Sequence, residues 1–138
     1  MGITDLAAGS ERTVLLAPVV GAYLCLSAIG LLRKGAARSF LSDVRQHPAA
    51  MHAVGAVAFF VGGFILTWQR QWSLPADWAL NLIACMWIFE GAGMLASPAL
   101  VRKVVAQPAA ARSFAIATAG AAGIGVYLII AGLAGRLW

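Results

Sequence analysis

Residues 78–97 read WALNLIACMWIFEGAGMLAS, an apolar stretch whose single charged side chain is Glu90. An α-helix rises about 1.5 Å per residue, so roughly 20 apolar residues match the hydrocarbon thickness of a bilayer. A barrel strand would alternate apolar and polar over about ten residues, and a soluble amphipathic helix would confine its apolar side chains to one stripe. Residues 78–97 are apolar all round. The pattern predicts a transmembrane helix.

Three more stretches have the same character. Residues 13–32 and 113–135 carry no charge, and His52 is the only titratable side chain in 48–68. The expected fold class is all-α: a polytopic membrane protein of four transmembrane helices forming one membrane domain over residues 1–138. Composition agrees, with 62% hydrophobic residues, 11% charged and a mean hydropathy of +0.86. Soluble domains carry about a quarter charged residues, so a soluble globule, a disordered chain and a disulfide-knit secreted domain are all excluded. The first span is expected to be retained rather than cleaved, because Asp5 and Glu11 spoil the basic flank that a signal peptide requires.

Basic residues orient the spans. Arg33, Lys34, Arg38 and Arg45 lie between the first and second spans; Arg102, Lys103 and Arg112 lie between the third and fourth. Only Arg12, Arg70 and Arg136 lie at the other end. The positive-inside rule then places both linkers in the cytoplasm and both termini in the periplasm. Trp68, Trp72, Trp78 and Trp138 gather at the outer face, where an aromatic belt is expected. The net charge of +5 is accounted for by membrane lipids facing these basic residues, with Arg38, Arg45, Arg102 and Lys103 at the interface. No nucleic-acid partner is expected.

A shift of 60 residues aligns two halves, 13–68 and 78–135. Cys25 falls on Cys85, Val44 on Val104, Pro48 on Pro108 and Gly63 on Gly123. Each half reads as a helical hairpin whose linker is a short amphipathic helix, with Phe40, Leu41 and Val44 matching Leu100, Val101 and Val104. Ser97 and Pro98 suit the N-cap and first position of the second linker helix. Small residues recur at helical spacing: Ala17, Gly21 and Cys25 in the first span, and Ala58 and Gly62 in the second, with Gly63 adjacent. The fourth span has two such runs, Ala115/Ala119/Gly123 and Ala117/Ala121/Gly125. Such stripes bring helix backbones together in lipid, within one chain or between chains.

Glu90 is the residue that singles itself out chemically. A charged side chain mid-span costs roughly 2.5–3.5 kcal/mol on insertion scales and marks a functional site by default. Thr118, at similar depth, and Arg33, near the equivalent position of the first span, are its expected partners inside the chain. A partner protein or a transported ion is the other reading. His47 and His52 read as interfacial and Cys25 and Cys85 as packing residues. No catalytic motif, metal-ligand set or cofactor site is visible, so no enzyme, metal or cofactor is expected.

Glu90-Gly91, Pro98, Arg102-Lys103, Pro108, Arg112 and a Gly-rich span, taken together over residues 80–133, resemble the YjeT-like small inner-membrane proteins of bacteria. The first half departs from that pattern, with Gly30 where the Glu would fall. It looks like the leading half of four-span bacterial membrane proteins with a Trp-rich central loop. The resemblance implies a bacterial inner membrane and supplies no activity. The expected function is a non-enzymatic accessory, scaffold or assembly subunit of a larger membrane complex or homo-oligomer. The alternative is a small transporter or channel with Glu90 as its proton or cation site.

Overall fold

Prolines and one glycine divide the chain into helices. Pro48, Pro75 and Pro98 each occupy the first position of a helix, where a missing N–H costs nothing and the fixed φ is already helical. Gly35 turns the chain into the first linker helix at φ 85°, a conformation that favours glycine. The computed structural model describes residues 3–107 and 109–134, with side chains from Glu11 onward except that of Arg45. Among these residues the order is α1 (Ile3–Leu31), α2 (Ala36–Gln46), α3 (Pro48–Trp68), α4 (Pro75–Ala96), α5 (Pro98–Val105) and α6 (Ala110–Leu133). No strand is present among them.

Four of these helices contain segments long and apolar enough to cross a membrane: Glu11–Leu31, Pro48–Trp68, Pro75–Ala96 and Ala110–Leu133. The third begins three residues before the expected 78. Pro75 and Asp77 form a helix start that a hydropathy window passes over. The two linkers are helical, as α2 and α5. The α3–α4 connection defines one end of the bundle, the loop end; α2 and α5 lie at the other, the linker end.

Two extensive seams hold the bundle, α1 against α6 and α3 against α4, while every other helix pair touches lightly. The halves expected from the 60-residue shift are therefore not packing units, since each seam joins a helix of one half to a helix of the other. Both seams are built on glycine. A Cβ on Gly21 would lie 2.5 Å from the Gly125 carbonyl oxygen, and one on Gly125 would lie 2.8 Å from that of Gly21. In the other seam, a Cβ on Gly91 would lie 2.5 Å from Gly55 O and 2.6 Å from Phe59 N, and one on Gly62 would lie 2.6 Å from Ala84 O. These are backbone-to-backbone contacts, the close approach by which helices associate in lipid. Gly132 makes room for a proline in the same way, its missing Cβ leaving space for the ring of Pro18 within α1.

Three expected packing residues lie off the seams. Gly63 and Gly123 have nothing within 4 Å of a built Cβ, and Ala119 is exposed. On a helix that is apolar all round, small residues at i, i+4 mark several faces, and here α6 turns Gly125, Leu128 and Ala131 inward instead.

The two seams join towards the loop end. Ala17, Val20 and Leu24 of α1 share one core with Ile65 of α3, Leu80 and Ile83 of α4, and Leu128 and Ala131 of α6. Tyr23 meets Trp87 edge-on, ring centroids 5.4 Å apart, which ties α1 to α4. At the linker end, Phe40 of α2 stacks on Phe114 of α6 at 5.7 Å and Val44 is buried. Helix α5 differs from its expected equivalent, for Leu100 and Val104 face outward.

Candidate functional site

Gly91 fixes where Glu90 points. Consecutive residues on a helix are turned by about 100°. Because Gly91 is pressed into the α3 seam, its neighbour is swung out of it. Glu90 is accordingly exposed on the outer surface of α4, beside Phe89, which is 78% exposed, and one turn from the exposed Met86. It lies six residues, about 9 Å, inside the helix end at Ala96. Towards the loop end, a groove of about 660 Å³ runs along α4, lined by Trp78, Leu82 and Met86, with Ile124 of α6 opposite.

The expected internal partners do not meet this carboxylate. The Thr118 hydroxyl donates to the Phe114 carbonyl one turn back on its own helix, 2.8 Å away. Arg33 is exposed at the linker end. Among the described residues, no hydrogen bond or ion pair reaches Glu90 from either residue or from any other. Within this chain, Glu90 is a carboxyl group turned outward from an apolar span.

A second polar centre, unforeseen in the sequence, sits at the loop end, where Thr13, Gln69, Asp77 and Asn81 are all buried. Asp77 is the hub. Its Oδ1 accepts from the Thr13 hydroxyl at 2.6 Å and from Gln69 Nε2 at 2.8 Å. Its Oδ2 accepts the backbone N–H groups of Leu74 at 3.0 Å and Ser73 at 3.2 Å. Gln69 Nε2 also donates to Thr13 Oγ1. Asp77 is the third residue of α4, so its carboxylate reaches back to the N–H groups of the N-cap Leu74 and of Ser73 before it, and lies at the favourable end of the helix dipole. Asn81, one turn on, donates to the Gln71 carbonyl at 2.8 Å and pins the loop.

This network clamps α1 and the α3–α4 loop onto the start of α4. Gln69 Oε1 and Asn81 Oδ1 are buried without a hydrogen-bond partner among the described residues. Each such acceptor costs about 1–3 kcal/mol, which offsets part of what the clamp contributes. The signal was present in the sequence: proline followed two residues later by an acid is a helix-start pattern. Read so, it places Asp77 in the first turn of α4, while its contacts with Thr13 and Gln69 are tertiary.

Trp68, Trp72 and Trp78 are partly exposed at the loop end. Trp72 and Trp78 meet edge-on at 4.8 Å, and the Arg12 guanidinium lies over the Trp68 ring at 5.9 Å. Arg38, Arg102 and Lys103 lie on α2 and α5 at the linker end, with Arg38 and Lys103 exposed. Trp138 and the Arg45 side chain lie outside the described residues. No group of three or more His, Cys, Asp and Glu that could hold a metal ion occurs among the described residues, and Cys25 and Cys85 are free thiols. No protein-family model, curated protein or solved structure matches the chain.

Proposed function

We propose that this chain is a non-enzymatic four-span protein of the bacterial inner membrane, with both termini periplasmic, whose α4 surface docks onto a partner within the membrane. The partner is a subunit of a larger complex or a second copy. The observation that carries this reading is the outward-facing, unpartnered Glu90. A carboxyl group facing lipid is unfavourable, and a donor on a neighbouring helix removes that penalty. The exposed Phe89 and Met86 beside it, and the groove continuing towards Trp78, supply an apolar surface around the polar contact. Seven of the ten basic residues at the linker end support the orientation. The YjeT-like character of residues 80–133 supports the bacterial inner membrane.

Photo-crosslinking tests the surface directly. A photoreactive residue at Phe89 or Met86 should give one defined adduct in native membranes, and Glu90→Gln should weaken it. The same probe at Ile116, exposed on α6, should give none. Equal crosslinking at both sites would remove the proposed surface. The purified chain should also carry no ion flux in liposomes; pH-dependent flux abolished by Glu90→Gln would replace the docking reading with transport.

A further inference from the structure

The basic linker end holds a groove that no expectation from the sequence assigned. It has a volume of about 450 Å³ and lies between α2 and the turn joining α5 to α6. One face of α2 contributes Arg38, Leu41 and Ser42, which stand at i, i+3 and i+4; Val105 comes from the end of α5, Gln107 from just beyond it and Ala111 from the first turn of α6. From this arrangement we infer that the groove is a binding site for the phosphate of an anionic phospholipid headgroup.

Three observations point to an anion. Arg38 is exposed and has no hydrogen-bond or ion-pair partner among the described residues, so its guanidinium fork is available for a phosphate. The Ser42 hydroxyl accepts from Gln46 Nε2 at 3.1 Å, which leaves its proton free to donate, and the Gln107 amide is exposed across the groove. The surroundings carry the same sign as Arg38. The two linkers hold Arg33, Lys34, Arg38, Arg45, Arg102, Lys103 and Arg112 against one acid, Asp43.

Phosphate in this position could come from lipid or from solution, and the groove's place decides for lipid. It opens at the linker end, where α1 and α4 finish and α3 and α6 begin, and its walls include the aliphatic side chains of Leu41, Val105 and Ala111. A headgroup seated beside Arg38 would lay the start of its acyl chains along these walls. Basic pockets between helices at the cytoplasmic surface take anionic lipid in this manner.

The test uses the full chain, delipidated and returned to nanodiscs of phosphatidylcholine with increasing phosphatidylglycerol, with lipid retention read by native mass spectrometry. Wild type should retain phosphatidylglycerol at a saturable site. Arg38→Gln should weaken retention by roughly tenfold or more, whereas Arg33→Gln, which removes the same charge from the same end, should change it by about fivefold or less. Ser42→Ala should weaken it without altering net charge. Inorganic phosphate at millimolar concentration should not displace the lipid. Equal losses for Arg38→Gln and Arg33→Gln would overturn the site in favour of diffuse attraction. Displacement by inorganic phosphate would overturn the assignment to lipid.

Discussion

Replacing Asp77 by Asn changes one atom and should destabilise the bundle measurably. The carboxylate offers two acceptor oxygens to four donors: Thr13 and Gln69 on one side, the Ser73 and Leu74 N–H groups on the other. An amide has one oxygen. Whichever way it turns, its NH2 faces two donors, and that pair loses its acceptor. A buried donor left unsatisfied costs about 1–3 kcal/mol, and the backbone pair is only partly buried, so the expected loss is about 2–4 kcal/mol. Thr13→Val keeps the shape and removes a hydroxyl that both donates to Asp77 and accepts from Gln69, for about 1–2 kcal/mol. Because the residues share a bond, the double variant should lose less than the sum, with a coupling of about 0.5–3 kcal/mol. Unfolding in mixed micelles by titration with sodium dodecyl sulfate measures all three. Asp77→Asn unfolding within about 0.5 kcal/mol of wild type, with the two changes simply additive, would refute the clamp.

Other outcomes follow from the seams and the linker end. Gly91→Ala drives a methyl into the Gly55 and Phe59 backbones and should cost about 1–3 kcal/mol in the same titration. Gly63→Ala meets open space and should be neutral or gain up to about 1 kcal/mol in helix propensity. Phe40→Ala removes the stack on Phe114 and should free α2, seen as faster amide exchange over Ala36–Gln46 with α3 and α4 unchanged. Trp68, Trp72 and Trp78 should be quenched by lipids brominated near the headgroup more than by lipids brominated deep in the acyl chain.

Hydropathy carries the existence of the four spans because each is long and apolar on every face, and a membrane leaves little else for such a segment to do. That same uniformity hides the packing. With no polar face to orient a helix, nothing local distinguishes Gly125, which lies in a seam, from Gly123, which faces outward. The pairing of α1 with α6 and α3 with α4 is a tertiary choice, and the 60-residue shift carries no information about it. Glu90 stands out in the sequence by its charge alone. Its direction depends on Gly91 being held by Gly55, a contact between residues far apart in the chain. The Asp77 network was partly legible: the start of α4 was written in Pro75 and Asp77, while the reach to Thr13, 64 residues away, was not.

The proposed role turns on whether the outer face of α4 is covered in the membrane. Extracting the tagged chain from native membranes in polymer nanodiscs, without detergent, and weighing the particles by native mass spectrometry answers this directly. Wild type should emerge in a stoichiometric assembly, with a second copy or one defined membrane subunit, and Glu90→Gln should shift most of it to the free chain. Wild type emerging as the free chain with lipid alone, indistinguishable from Glu90→Gln, would contradict the docking role.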